Sequence, residues 1–488
     1  MADERPDRPN VVVVMTDQHR ADTCAREGFE LDTTPFLDSL ARDGTWFDRA
    51  YSPYPMCVPA RTSFLTGRFP SWTGVHTNDT AVRPRYRRDL FDVMNEQGYE
   101  TSLCGKNHSY LEPDRADHWY EVSHQGGNPR TESGERWDEW VREEAGMGYS
   151  LEPSPVPAEA TPVGRIVSES IDWLRSDHER PFFQWLSIPE PHPPYQVPEP
   201  YFSLFSADDV PDVDAGSEAL QTKGYRYELV RQFAEKFTAP DTDYEDVLPT
   251  VRALYCGMLR MVDDQIRRFV EALESAGLRQ DTLLVFVSDH GDYVGEYGMM
   301  RKTAGVPESL VRIPMFFVGP DVVADPDPHP AHVSLADVMP TLCTVAGAEI
   351  PPGVQGRSLL PLLRGDPYPE AEFDSVYTEV GYGGRHTGDD LTVEDPDRAQ
   401  FHALSGTVRG VRSGDWKLTF DTRGDGRLYD LSADPAETED HYDDSEYADQ
   451  RRTLLEELLT WQLRLDALDT PHEVDLSVHP YNYWTVDE

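Results

Sequence analysis

The sequence has very little lysine: only five of its 44 basic residues are lysine, and the other 39 are arginine. These basic residues are outnumbered by 89 acidic ones, which gives a net charge of −45. An acidic surface repels the phosphates of nucleic acids and of anionic membranes, so we expect neither as a partner. The composition is typical of adaptation to high salt, where screening weakens repulsion between surface charges. An acidic protein that is not adapted to high salt can have the same composition.

Cysteine is also scarce, and the five cysteines at positions 24, 57, 104, 256 and 343 show no short-range pairing pattern. This spacing predicts reduced thiols rather than a disulfide framework. The sequence lacks an apolar run of membrane-spanning length, and its charged first residues, MADERPDRPN, lead into an apolar strand without a secretory leader. We therefore predict a cytoplasmic protein with no membrane partner.

The length of 488 residues allows one large core and a smaller appended unit. The continuous apolar run at 11–15 is typical of a strand covered on both faces, as in a parallel sheet, and 182–188 and 283–288 are predicted to be further buried strands. Stretches with helical periodicity follow or precede them, the clearest at 255–276. The pattern predicts an α/β fold: a large, mostly parallel central sheet sandwiched by helices, with a smaller C-terminal α+β subdomain.

The pattern of predicted secondary structure changes near residue 366. Beyond it, short runs at 375–380, 406–412 and 416–421 predict antiparallel strands, and 451–465 predicts a helix. We therefore predict a catalytic domain over 1–366 and a C-terminal subdomain over 367–488. Two segments of the first domain, 112–160 and 197–250, have weak periodicity and are predicted to be irregular insertions, where substrate specificity commonly resides.

The stretch 54–67, reading YPMCVPARTSFLTG, has the features of a reactive site. Pro59 fits the first turn of a short helix and Gly67 fits its end, so Cys57 is predicted to lie at the helix amino terminus. Free backbone N–H groups there favour an anion and lower a thiol pKa, and Arg61 lies one turn further on. The combination indicates an oxyanion site, although a single cysteine is more often a small buried apolar residue.

Several polar residues are predicted to converge on one edge of the sheet. Each falls at or just past the carboxyl end of a predicted buried strand: Asp17, Lys106, His108, His192, Asp289 and His290. Ligands bind at that edge in open α/β sheets. Asp17, Asp289 and His290 offer two carboxylates and an imidazole, and Gln18 can add an amide oxygen. This set suits calcium, magnesium or manganese better than a thiolate-seeking metal.

The motif CVPAR at 57–61 resembles the C-x-P-x-R signature of the type I sulfatases, formylglycine-dependent members of the alkaline phosphatase superfamily. Lys106 and His108 are similar to the G-K-x-H element of that family, and His192 to its P-H-x-P element. Lys302 resembles the lysine that follows the D-H-G element. The resemblance covers about residues 10 to 365.

This resemblance implies a hydrolase that splits a sulfate ester into an alcohol and inorganic sulfate. Cys57 would be oxidised to formylglycine by a formylglycine-generating enzyme, and one hydroxyl of its hydrate would attack sulfur. Arg61, Lys106 and Lys302 would hold the sulfate oxygens. His192 or Lys302 would protonate the departing alcohol, and His108 would take a proton from the second hydroxyl.

The family also implies one divalent ion, which is usually calcium, with manganese or magnesium as the alternatives. Its implied ligands are Asp17, Gln18, Cys57, Asp289 and His290. The implied substrate-binding residues are Asn78, Lys106, His192 and Lys302.

Two departures from the commonest sulfatase pattern keep a second function open. Gln18 and His290 stand where many sulfatases carry aspartate and asparagine, and these versions look more like choline-sulfatase-type enzymes and phosphonate monoester hydrolases. The pair Lys106 and His108 favours sulfate. The alternatives are a phosphonate monoester hydrolase or phosphodiesterase, and a non-catalytic relative that binds sulfate or a glycan. The alcohol can be a sugar, an aryl group or a small choline-like molecule, and the oligomeric state stays open.

Overall fold

A computed structural model describes residues 8–85, 88–145, 148–223, 227, 231, 244–302, 305–381 and 406–466. The strands in chain order are β1 (Asn10–Asp17), β2 (Thr45–Phe47), β3 (Ala50–Tyr51), β4 (Glu100–Gly105), β5 (His118–Glu121), β6 (Phe182–Pro191), β7 (Thr282–Ser288), β8 (Met315–Val318), β9 (Val333–Ser334), β10 (Ser375–Val380), β11 (Val408–Ser413), β12 (Trp416–Asp421) and β13 (Gly426–Asp430).

The helices alternate with these strands along the chain. They are α1 (Pro35–Arg42), α2 (Cys57–Thr66), α3 (Pro70–Thr73), α4 (Leu90–Glu96), α5 (Glu132–Trp140), α6 (Pro162–Leu174), α7 (Leu220–Lys223), α8 (Tyr244–Ser275), α9 (Glu308–Val311), α10 (Val338–Val345), α11 (Leu360–Arg364) and α12 (Ala448–Asp466).

A seven-stranded central sheet has the order β2-β8-β7-β1-β6-β4-β5. The five strands from β7 to β5 run parallel, whereas β8 is antiparallel to β7 and β2 is antiparallel to β8. β1 lies in the middle, with Val13 opposite Trp185 on one side and Val285 on the other. The predicted fold class, a large and mostly parallel sheet between helices, is confirmed.

Alternate residues of β1 enter two separate hydrophobic cores. Val12 and Val14 pack with α1, α6 and α8 on one face of the sheet. Val11, Val13 and Met15 pack with α2, α4 and α10 on the other face. Because both faces are covered, β1 reads as an unbroken apolar run in the sequence.

The segments predicted to be irregular contain more regular structure than expected. Within 112–160, β5 adds a parallel strand at the sheet edge and α5 forms a helix, so that prediction was wrong in part. Only Tyr120 of the four β5 residues is buried, which leaves no apolar pattern to recognise. The long helix predicted from residue 255 begins at Tyr244 and passes through Pro249, the residue type that favoured a later start.

The C-terminal part forms a second, antiparallel sheet in the order β10-β11-β12-β13. α12 covers it through Leu454, Leu458 and Trp461, as expected for a small α+β unit. β13 is a further strand that the sequence did not predict. The parts of 197–250 and 367–488 that fall in 224–226, 228–230, 232–243, 382–405 and 467–488 lie outside the described residues. The boundary at residues 366 and 367 stays a prediction.

Two further findings concern the cysteines and the helices. All five cysteines are buried and free of disulfides. Within the part of the chain that the structure describes, no helix combines the length and apolar character needed to cross a lipid bilayer.

Glu190, near the end of β6, carries a carboxyl group whose ionisation is unfavourable. Its Oε1 accepts a hydrogen bond from the backbone N–H of Val163 at 3.2 Å, while burial raises its pKa to about 7. Because the folded protein holds this proton up to a higher pH than the unfolded chain, stability falls as pH rises from about 4.5 to 7.

We expect Glu190→Gln to flatten this fall, since an amide oxygen can still accept the hydrogen bond and does not ionise. The free energy of unfolding at pH 8 should rise by about 2 to 3 kcal/mol. Urea denaturation at a series of pH values measures it, with Glu139→Gln on the exposed face of α5 as the control. Equal pH dependence of the free energy of unfolding in wild type and Glu190→Gln would contradict the raised pKa of Glu190.

Candidate active site

Cys57 is the first residue of α2, as the sequence predicted. Met56 before it is extended, and Gly67 ends the helix with a φ of 64°, a conformation that glycine adopts without strain. All ten residues of α2 are buried, and Cys57 itself is 0% exposed. The helix therefore presents its amino terminus to the interior, at the carboxyl edge of the parallel strands.

Five side chains from distant parts of the chain surround the sulfur of Cys57. The partner atoms, with their distances from Sγ, are Lys302 Nζ at 2.7 Å, His290 Nε2 at 3.4 Å, Asp17 Oδ1 at 3.5 Å, Lys106 Nζ at 3.9 Å and Asn78 Nδ2 at 4.0 Å. Asn78 also accepts the backbone N–H of Val58 through Oδ1, at 3.1 Å. The structure thus brings together residues that are up to 285 positions apart, because four parallel strands end side by side.

Arg61 lies beneath this cluster and is 0% exposed. Its Nε donates to Asp289 Oδ2 at 2.9 Å, and its terminal nitrogens donate to Asp17 Oδ2 at 3.1 Å and Ser187 Oγ at 2.6 Å. Lys106 Nζ donates to the same oxygen of Asp17 at 2.6 Å. Arg61 therefore holds the two carboxylates in place, and every one of these charges is paired inside the protein.

Asp17, Cys57, Asp289 and His290 form a group that can hold a metal ion. Each offers a ligand atom, and these atoms lie within 4.8 Å of one another. His290 Nδ1 contacts the carbonyl oxygen of Gly291 at 2.8 Å, which turns the lone pair of Nε2 toward the cluster. Burial lowers the pKa of His290, but the Asp289 charge raises it overall, so the cluster attracts positive charge. The donor set fits a divalent cation.

Gln18 joins the cluster through its side-chain oxygen. Its Nε2 donates to Asp292, which also accepts the hydroxyl of Tyr195 at 2.8 Å. This fixes the orientation of the amide, so that Oε1 faces the cluster and accepts from Lys302 Nζ at 2.8 Å. Asp292 was not singled out in the sequence, although it is the last residue of the run DHGD at 289–292, directly after β7.

The charges around Cys57 favour an anion at its position. Burial and the Asp17 carboxylate would raise the pKa of the Cys57 thiol, but Lys106, Lys302 and His290 outweigh them and hold it well below its ordinary value. For Asp17, burial opposes ionisation, but the charges of Lys106, Lys302 and Arg61 hold its pKa well below the usual range. Burial and the charge of Asp17 raise the pKa of Asp289 to about 6.

Three histidines, His108, His124 and His192, lie at the same edge of the sheet as the cluster. Burial and Lys106 lower the pKa of His108, and a hydrogen bond to Cys57 opposes this shift. His192 follows β6 and places Nδ1 2.5 Å from the carbonyl oxygen of Pro193. Its ring stacks on His124, with ring centroids 4.5 Å apart. His124 was missed in the sequence, because it follows β5, the strand that has no recognisable pattern.

This arrangement defines a class of enzyme. A mostly parallel sheet carries, at its carboxyl edge, a buried cysteine at a helix amino terminus, a cluster that can hold a cation and several basic groups, as in the alkaline phosphatase superfamily. A family profile described as Sulfatase matches residues 9–348. The chain belongs to the sulfatase family, whose members are sulfuric ester hydrolases.

Curated relatives and a solved structure match nearly the whole chain. An arylsulfatase of Clostridium perfringens is 28% identical, over 92% of this chain and 94% of its own. A choline-sulfatase of Rhizobium meliloti is 26% identical, over 88% and 81%. The crystal structure of a phosphonate monoester hydrolase of Agrobacterium radiobacter superposes with a TM-score of 0.80 at 25% identity, covering 94% of this chain and 96% of that one. The chain is thus similar to both sulfate and phosphonate ester hydrolases.

Proposed function

We propose that the protein hydrolyses a sulfate ester to an alcohol and inorganic sulfate, with formylglycine made from Cys57 as the nucleophile and one divalent ion, calcium first, as cofactor. The observation that carries the proposal is the group of basic side chains around Cys57 Sγ, with Lys302 Nζ at 2.7 Å and Lys106 Nζ at 3.9 Å. Two ammonium groups beside a helix amino terminus suit a sulfate group.

The ion would be held by Asp17, Gln18, Cys57, Asp289 and His290. It would supply positive charge that favours the ionised form of the nucleophile and polarises the ester. The formylglycine hydrate would offer the attacking hydroxyl that an unmodified thiol lacks. Arg61 is bound to both Asp17 and Asp289, so its main task is to hold these carboxylates in place.

Lys106 and Lys302 bind the sulfate oxygens and stabilise the charge that develops there. Asn78, whose Nδ2 lies 4.0 Å from Cys57 Sγ, would bind the same sulfate group. His108 accepts a proton at the position of residue 57 during release of sulfate, since burial and Lys106 keep its ring neutral by lowering its pKa.

His192 and Lys302 were both candidates for protonating the departing alcohol. Burial and Lys106 hold the pKa of His192 well below its ordinary value, and its Nδ1 is occupied by the Pro193 carbonyl. A neutral ring bound in this way presents Nε2 as a hydrogen-bond acceptor. We therefore assign proton delivery to Lys302 and substrate orientation to His192.

The similarity to a phosphonate monoester hydrolase favours a second candidate function on the same scaffold. Kinetics on 4-nitrophenyl sulfate, an aryl phosphonate monoester and an aryl phosphodiester separate the two. We expect the highest kcat/KM for the sulfate ester. A clear preference for either phosphorus ester would make the phosphorus ester hydrolase the first candidate function. No activity on any of them, nor on monosaccharide O-sulfates, would favour a binding protein.

The state of residue 57 is tested by the mass of the tryptic peptide that contains it, from protein purified from its native host. The mass of formylglycine is expected. An intact cysteine, in a host that modifies other C-x-P-x-R proteins, would contradict an aldehyde-based mechanism. The same experiment tests the proposed partnership with a formylglycine-generating enzyme.

Removal of the divalent ion should lower both activity and stability. An ion that binds only the folded protein, at about 1,000 times its Kd, adds about 4 kcal/mol to the free energy of unfolding. We therefore expect EDTA to abolish turnover and lower the melting temperature, and added calcium or manganese to restore both. Asp289→Asn, which weakens the ligand set, should melt at the same temperature with and without EDTA. An unchanged melting curve of wild type in EDTA would argue against a resident ion.

A further inference from the structure

His124 is the residue of the active site that no sequence motif identifies. Its ring stacks on His192, with centroids 4.5 Å apart and an angle of 29° between the planes. It follows β5, the outermost of the parallel strands, and therefore lies at the same edge of the sheet as the cluster around Cys57.

The turn that carries His124 is held firmly on both sides. Ser123 and Gly126 exchange two backbone hydrogen bonds, of 2.9 and 3.0 Å. The next residue, Gly127, donates its N–H to Asp138 Oδ2 at 3.0 Å, and Arg165 in turn donates to the other oxygen of Asp138 at 2.8 Å. A Cβ on Gly126 would lie 1.9 Å from Asp138, so a larger residue would displace the turn. The ring of His124 is thus placed in advance of substrate binding.

The ring is neutral and has a free, buried nitrogen. Burial and Lys106 lower its pKa to about 3. None of the residues that the structure describes hydrogen-bonds to its Nδ1, although this atom is buried. Buried polar atoms in proteins nearly always have a hydrogen-bond partner. The substrate is the partner that this site would supply for the nitrogen, since the ring stacks on His192, to which we assign substrate orientation.

We propose that His124 is a specificity residue that hydrogen-bonds a hydroxyl group on the alcohol part of the ester through its free ring nitrogen. This inference rests on the proposed function and names the substrate class for it. An uncharged imidazole offers no ion pair to a second sulfate or carboxylate, and a quaternary ammonium group offers no hydrogen bond to the nitrogen. A hydroxylated alcohol such as a saccharide therefore suits the nitrogen of His124 better than a plain aryl or choline-like alcohol does.

The test compares His124→Phe with wild type on two kinds of ester. Phenylalanine keeps a ring against His192 but has no nitrogen. We expect kcat/KM for 4-nitrophenyl sulfate to stay within about 3-fold, and kcat/KM for monosaccharide O-sulfates to fall about 10-fold, mainly through a higher KM. His124→Asn, whose amide can replace the nitrogen, should retain more saccharide activity than His124→Phe. Gln125→Ala, an exposed position in the same turn, is the control and should change neither rate.

Equal losses on both esters, with an unchanged melting temperature, would show a purely structural role and overturn the proposal. A wild-type enzyme that hydrolyses aryl sulfate but no saccharide sulfate would overturn it as well. Calorimetric binding of the same saccharide sulfates to Cys57→Ala, with and without His124→Phe, gives a readout that needs no turnover; equal affinities would contradict the hydrogen bond. Preference of wild type for phosphorus esters would instead reject the sulfatase function, and the same variants on hydroxylated and plain phosphorus esters would still decide the role of His124.

Discussion

Cys57→Ala is expected to lower kcat/KM for sulfate esters by on the order of 10⁴-fold or more. Alanine provides no atom from which the aldehyde or any other nucleophile can form, and the loss of a nucleophile commonly has effects of this size. Sγ is the atom on which Lys106, Lys302 and His290 converge, so no neighbouring side chain can take its place. Steady-state kinetics on purified, folded protein measures the effect.

The matched control is Cys343→Ala, in α10. Cys343 is also buried, but its Sγ lies 3.7 Å from Met339 Sδ, within the hydrophobic core that α2, α4 and α10 form on one face of the sheet. This variant should keep the wild-type rate and lose about 1 kcal/mol of stability, because the substitution removes one small buried group. If Cys57→Ala retained more than a tenth of the wild-type rate, residue 57 would not be the nucleophile.

Arg61→Met is expected to be the most destabilising of the substitutions considered. Methionine fills a similar volume but leaves Asp17 and Asp289 without the guanidinium that binds both, at 3.1 and 2.9 Å. All three side chains are 0% exposed, so solvent cannot compensate. Removal of one partner from a buried ion pair costs about 3 to 5 kcal/mol. Urea denaturation in the presence of EDTA, which excludes compensation by a bound ion, gives the value.

An exposed arginine provides the comparison. Arg88 pairs with Glu96 at 2.6 Å, but their side chains are 48% and 56% exposed. Arg88→Met should therefore change the free energy of unfolding by less than about 1 kcal/mol. Equal effects of the two substitutions would mean that the network around Arg61 contributes no more than a surface ion pair does.

The sequence was most informative where burial imposes a strong pattern. β1, β6 and β7 are covered on both faces, so each has a largely apolar sequence, and each ends in or directly precedes a polar residue at the same edge of the sheet. The convergence of Asp17, His192 and Asp289 follows from that geometry and could be predicted before any coordinates were known.

The rest could not be predicted because the signal lies in contacts between distant segments. β5 has one buried residue, so neither the strand nor His124 after it has a periodic pattern. The orientation of Gln18 depends on Asp292, 274 positions away. The roles of the site residues, the domain boundary and the cytoplasmic location stay predictions.

The burial of Cys57 also has a consequence for how the enzyme is made. A side chain that is 0% exposed, at the start of a fully buried helix, is out of reach of any modifying protein once the chain has folded. The proposed conversion to formylglycine would then have to happen while the segment is still extended. The yield of active molecules would be set by competition between two rates, that of oxidation and that of folding, and overproduction in a host with too little oxidising enzyme would give well-folded but permanently inactive protein.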